Sequence, residues 1–219
     1  DNSHLATSDN APLWIKNYSL GLNMAYKEYS LKGRINQYKQ GAAYGANFVQ
    51  AQENDFIESP NHYLEVAIDK YFRDIQIISK LGYKRDGLKN HSKTLPDQVI
   101  LPNYSDMTKS IVFPDGIHIE IDTDQSTLYH STFFHYNELS NHELMAGYYL
   151  SQVKTEDVVT KLTNRQSGIG LVDHTQSKPF FDINAKRDTY TISLQDKYQY
   201  SQNLQILYAL NYEHNSHIE

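Results

Sequence analysis

The stretch His142-Glu143-Leu144-Met145-Ala146 opens as the zinc-protease motif H-E-x-x-H does. In that motif two histidines one helical turn apart hold the metal, and the glutamate serves as base. Here the fifth position is Ala146, and the surrounding alternation predicts a strand, on which i and i+4 form no helical zinc pair. Gly168-Ile169-Gly170-Leu171-Val172-Asp173 starts like a dinucleotide-binding loop but has neither a third glycine nor a following helix, so it reads as a loop tip. Asp122-Thr123-Asp124-Gln125-Ser126 begins like a calcium loop. However, the glycine of the sixth position is missing and Phe133 stands where the bidentate glutamate belongs. With no cysteine there is no disulfide framework and no thiolate zinc site. The residues predict no metal centre, no cofactor and no enzymatic activity; no Ser–His–Asp constellation can be placed, because its candidates fall in long connections.

Binding chemistry is better represented. Of ten histidines, His62, His142 and His214 fall at the ends of expected strands and His130 and His135 within one. His91, His118 and His174 lie in long connections beside Lys93, Tyr104 and Arg165, and these six are the candidate ligand-contact residues.

What must position them is a set of strands. Period-two alternation marks eight, at about Tyr18–Tyr26, Ser30–Lys39, His62–Phe72, Ile75–Tyr83, Ser126–Tyr136, His142–Gln152, Tyr190–Tyr200 and Leu204–Glu213. The clearest pair sets Tyr190, Ile192, Leu194, Tyr198 and Tyr200, and then Leu204, Ile206, Tyr208, Leu210 and Tyr212, against polar alternates. Asp196 interrupts the first of these rows.

Connections through Lys27-Glu28-Tyr29, Arg73-Asp74, Asn137 to Asn141 and Ser201-Gln202-Asn203 are short. Those at about Gln40 to Asn61, Lys84 to Gln125 and Val153 to Lys186 are long, beyond the roughly 12–15 residues usual for structureless loops. Short and long connections alternate strictly, as the periplasmic turns and extracellular loops of an outer-membrane barrel do. Strands of about 9–11 residues suit a tilted crossing of the bilayer. The orientation predicts Asp1 to Trp14 and Asn215 to Glu219 outside the cell. An intact barrel of even strand count keeps both termini in the periplasm, so the expectation is an excerpt of a wall.

Composition agrees. A net charge of −6 argues against a nucleic-acid partner, and no basic block suits anionic lipid. No apolar run reaches the roughly 18 residues of a spanning helix, and Asp1 to Asn10 has no signal-peptide h-region. Mean hydropathy is hydrophilic, which barrel strands also give because alternate residues face the lumen. The 18 tyrosines stand against 1 tryptophan, and an apolar ring with a polar tip suits the edge of a bilayer. Tyr26, Tyr136, Tyr198, Tyr200 and Tyr212 are expected in an aromatic girdle at headgroup level.

Arg187-Asp188-Thr189-Tyr190-Thr191-Ile192-Ser193-Leu194-Gln195-Asp196 resembles the "R-x-x-Y-x-x-x-x-Q-D" strand of TonB-dependent receptors. The following Asn203 to Glu213 is similar to that family's next strand, and Asn141 to Tyr148 to its "H-E-L-x-x-G" strand. The resemblance covers the whole chain, 1–219, as barrel wall. It implies an all-β, antiparallel, up-and-down transmembrane barrel of about 22 strands, of which this chain supplies about eight. It further implies the bacterial outer membrane and import of a bulky scarce nutrient such as a ferric siderophore, haem or cobalamin. Its lipid would surround the wall, and the TonB complex would act through an N-terminal plug and TonB box that these residues lack. Arg165 or Lys93 could then pair with carboxylates of a ferric chelate, and Tyr104 could stack on it. Two other readings are a small stand-alone outer-membrane barrel, porin-like or enzymatic, and a soluble all-β binding protein with its apolar faces packed inward.

Overall fold

A computed structural model describes residues 14–41, 55–103 and 106–216, and every regular element in them is a strand. These are β1 (Ile15–Tyr26), β2 (Tyr29–Gly41), β3 (Phe56–Phe72), β4 (Ile75–Leu95), β5 (Val99–Asn103), β6 (Asp106–Phe113), β7 (Ile117–Tyr136), β8 (His142–Thr163), β9 (Leu171–Asp173), β10 (Lys186–Ser201) and β11 (Leu204–Asn215). One antiparallel sheet runs β1-β2-β3-β4-β7-β8-β10-β11, with β9 added beside β8, while β5 and β6 form a separate hairpin. β1 and β11 are its two edges and do not pair with each other, so the sheet is open.

The four tight connections expected from sequence are present, β1 to β2, β3 to β4, β7 to β8 and β10 to β11, all at one end. The long connections need correction. Much of each is strand: β4, β7 and β8 run for 21, 20 and 22 residues. At about 3.3 Å per residue that is roughly 70 Å, well beyond one bilayer crossing. His91, Lys93 and His118 therefore stand on strands rather than loops.

Register places one apolar row after another on a single face of the lower sheet. Leu22, Gly33, Leu64, Tyr83 and Leu128 are cross-strand neighbours in sequence. Ala146, Leu194 and Leu210 continue the face on β8, β10 and β11. These side chains are exposed: Leu20 by 70 %, Leu194 by 54 % and Leu210 by 68 %. Tyr26, Tyr29, Tyr136, Tyr198 and Tyr200 collect at the tight-turn end of this face, and Tyr18, Tyr83, Tyr190 and Tyr212 near the other. Tyr190 and Tyr198 are eight residues apart, about 26 Å along the strand, or about 20 Å of height at a barrel strand's tilt of roughly 40°, somewhat less than the roughly 25 Å of a barrel's apolar band. Asp196 lies on this face near the turn, where His142 Nδ1 bonds its carboxylate at 2.9 Å and stacks on Tyr198 at 4.6 Å. That pairing accounts for the break in the apolar row.

On the opposite face two glycines make room for rings. A Cβ on Gly82 would fall 2.2 Å from Tyr129 Cζ, and one on Gly147 2.3 Å from Phe133 Cδ1. Lying over Gly82, Tyr129 donates its O–H to Glu65 at 2.8 Å, two strands away.

Above the row Leu20, Ile35, His62, Arg85, Ser126, Lys154 and Lys186, the amphipathy changes faces. β7 below this row turns Leu128, Phe134 and Tyr136 to the apolar face; above it the same face carries Asp124, Asp122 and Glu120, and Ile121, Ile119 and Ile117 turn the other way. β8 does likewise through a bulge. Asp157, with φ 50°, inserts one residue opposite Thr123 and turns Val158 inward. The charged side is stitched by ion pairs: Lys39–Glu58 at 3.3 Å, His91–Asp122 at 3.0 Å, Lys161–Glu120 at 2.9 Å, and Arg85 with both Asp124 and Asp157. Among the described residues, the buried apolar side chains are Ile111, Phe113, Ile121 and Val158, all in this upper part.

Candidate ligand-facing cleft at the strand tips

Beyond β8 the chain makes two turns around the short β9. Asn164 starts the first: its Oδ1 accepts the N–H groups of Gln166 and Ser167 at 2.8 and 3.1 Å. Its own N–H reaches the Gly170 carbonyl. The Asn164 side chain thus closes an Asx turn, and the chain continues into a left-handed residue. Gly168 has φ 73°, and a Cβ there would fall 2.0 Å from the Val112 carbonyl of β6. The β5–β6 hairpin thus props the turn that carries Arg165.

The second turn follows β9. Ser177 and Lys178 donate their N–H groups to the His174 carbonyl. Thr160, buried in β8, ties this segment down three ways. Its carbonyl accepts the His174 N–H, its N–H reaches Thr175 Oγ1 at 3.0 Å, and its Oγ1 accepts the Phe180 N–H at 3.0 Å. Thr175, through its hydroxyl and its N–H, holds the Asp173 carboxyl below the usual carboxylate range.

Between the turns lies a cleft of about 490 Å³ lined by Leu162, Asn164, Arg165, Gln166, Val172, His174 and Lys178. Two cations, an imidazole and two amides converge on it, and no carboxylate lines it. Among the described residues, Arg165 and Lys178 form no ion pair. An anionic group entering here would meet charge-assisted donors without first displacing a protein carboxylate.

Of the six candidate contacts, the structure brings Arg165 and His174 together. His91 is committed to Asp122 and stacks on Phe56 at 4.6 Å. Lys93 is 3 % exposed and pairs with Asp97 at 2.5 Å. His118 donates from Nε2 to the Asp115 carbonyl at 2.9 Å. These three are structural rather than ligand-facing, and Tyr104 lies outside the described residues. Sequence reading missed Lys178, Asn164 and Gln166; the spacing of Asn164 to Ser167, Gly168 and Gly170 was the available sign of a built turn. The calcium-like run is likewise explained, since Asp122 and Asp124 are taken up by His91 and Arg85. No group of three or more potential metal ligands occurs among the described residues.

A second polar cluster sits within the apolar face. Ser79 Oγ lies 3.1 Å from His130 Nε2 and 3.0 Å from Thr132 Oγ1, and Tyr148 OH lies 3.4 Å from His130 Nδ1. A hydroxyl beside an imidazole is half of a nucleophilic site. The other half, free N–H donors for an oxyanion, is missing: Ser79 sits in a strand paired on both sides, so the ladder takes the surrounding N–H groups. The four side chains satisfy one another, which lowers the penalty of placing polar atoms on an apolar surface.

No family model matches the chain, and neither the curated proteins nor the solved structures compared with it yielded a match.

Proposed function

We propose that the chain is part of the wall of a bacterial outer-membrane barrel, a receptor of the TonB-dependent kind that imports a bulky anionic nutrient chelate such as a ferric siderophore. One observation carries the reading: the sheet exposes a largely apolar face, broken only where polar side chains satisfy one another, then exchanges its faces above Arg85. A soluble sheet has no reason to turn leucines to water on one level and isoleucines inward on the next. A wall in lipid does, because hydrocarbon surrounds its lower part and water its upper part.

The tight turns then lie on the periplasmic side, and the long strands carry the cleft outward. Neighbouring strands of a larger wall would pair the free edges of β1 and β11. A small stand-alone barrel would need those two edges to join. Coupling to the TonB complex belongs to a plug outside these residues, and the wall itself does no bond chemistry.

The cleft is the capture point this reading assigns to the loops. The double substitution Arg165→Gln, Lys178→Gln removes both free cations. Titrating the full chain in detergent micelles with ferric citrate, followed by calorimetry, should show affinity falling at least roughly tenfold, about 1.4 kcal/mol. Each charge-assisted contact contributes on that order. Equal affinity for the double variant and the unsubstituted chain would remove the cleft from the capture site.

A further inference from the structure

The apolar face is not uniformly convex. Gly33 on β2 stands between Leu22 of β1 and Leu64 of β3, and its missing side chain leaves a groove of about 400 Å³. Leu20, Leu22, Ile35, Leu64 and Tyr83 wall it. Almost everything lining it is apolar, and its upper rim is His62, in the row where the amphipathy changes faces.

Two polar groups stand at that rim with hydrogen-bonding capacity to spare. The His62 ring makes no hydrogen bond among the described residues; its Nδ1 is buried, which leaves Nε2 as the atom that can meet a ligand. Directly across from it on β4 stands Arg85. Both of Arg85's carboxylate contacts use Nη2, which leaves Nη1 and Nε uncommitted, and the side chain is 40 % exposed. An apolar trough ending at an imidazole, with a guanidinium on the next strand in the same row, matches a lipid whose headgroup carries a phosphate.

We infer that the Gly33 groove seats one acyl chain of a phosphate-bearing membrane lipid, whose phosphate is held at the rim by His62 and Arg85. The inference rests on the barrel-wall reading, since only that reading puts this face in lipid. It goes beyond that reading by assigning a specific, ordered lipid position to one place on the wall. Gly33 is what distinguishes the place. A Cβ built there meets only Leu64 Cδ1 at 3.4 Å and the Tyr63 carbonyl at 3.7 Å, so the backbone conformation does not demand glycine. The residue leaves space that no side chain among the described residues fills.

The test is native mass spectrometry of the full chain, exchanged from dimyristoyl phosphatidylglycerol into detergent. The unsubstituted chain should retain one phosphatidylglycerol, and Gly33→Leu should lower that occupancy roughly tenfold. Leu22→Trp, which fills the same groove from β1, should do the same if the glycine variant fails to fold. His62→Phe should weaken phosphatidylglycerol while leaving dimyristoylglycerol, which has the chains but no phosphate, unchanged. Equal retention by Gly33→Leu, Leu22→Trp and the unsubstituted chain overturns the site, as does equal retention of phosphatidylglycerol by His62→Phe. A parallel flotation of vesicles after an alkaline wash separates the two levels. A chain that floats but shows no groove-dependent retention defeats only this inference. One that does not float defeats the barrel-wall reading as well.

Discussion

Replacing Leu194 by arginine should cost the bilayer-folded chain about 2–4 kcal/mol. Leu194 lies midway between Tyr190 and Tyr198, flanked by Ala146 of β8 and Leu210 of β11, and is 54 % exposed. In water an arginine on so open a position would change stability by no more than about 0.5 kcal/mol. In hydrocarbon the guanidinium must be dehydrated or must reach for the headgroups. The same result is expected for Leu210→Arg, directly across from it on β11. Ser193→Arg, pointing to the opposite face, is the matched control and should be near neutral. Reversible urea unfolding of the full chain from lipid vesicles measures all three. A Leu194→Arg cost equal to that of Ser193→Arg would mean that both faces see the same solvent.

Phe113→Ala should be at least as costly, about 3–5 kcal/mol, but confined to the upper part. Phe113 is 2 % exposed and belongs with Ile111, Ile121 and Val158 to the buried apolar residues above the exposed apolar face. The lower sheet holds none of these four; its leucines face outward, and its stability comes from the ladder and from its surroundings. Losing Phe113 therefore loosens the β5–β6 hairpin. Through the Val112–Gly168 approach it also loosens the turn that presents Arg165. Hydrogen exchange should accelerate in residues 99–113 and 164–180, with ferric citrate binding weakened, while β10 and β11 keep their protection. Acceleration spread evenly over all strands would mean that the upper and lower parts form one cooperative unit.

The contrast between these substitutions follows what the sequence displays and what it hides. The lower hairpins are legible because leucine and tyrosine alternate with polar residues from Tyr190 to Tyr212, and tight turns fix their register. The expected strands stop at Tyr83, Ser126 and Gln152, short of the observed ends at Leu95, Ile117 and Thr163, for a physical reason. At those points the apolar residues move to the other parity, so the alternation read from below fails although the strand continues. In β8 the bulge at Asp157 adds a further slip. Placing a tyrosine near a strand end needs only its position along the strand. The candidate contact residues needed partners that alternation does not show: His91 meets Asp122 across strands and Lys93 meets Asp97 beyond the end of β4, and those pairings occupy both side chains. Arg165 and His174 were recoverable because each sits in its own turn, and Lys178 was missed because only the fold brings it beside them.

The central claim is that one sheet meets hydrocarbon below Arg85 and water above it. The chain has no cysteine, so single cysteines along β4 from Ile75 to Leu95 can each carry a nitroxide without background. In lipid vesicles, oxygen and a water-soluble nickel chelate then report which side chains face lipid. The account predicts oxygen accessibility peaking at Ile75, Ile77, Leu81 and Tyr83, and nickel accessibility at the alternate Gln76, Lys80 and Lys84. From Arg85 upward, the alternating oxygen peaks should vanish, and Lys89 should be open to nickel. Nickel access at Leu81 equal to that at Lys80, or an oxygen alternation continuing unbroken to Leu95, would contradict it.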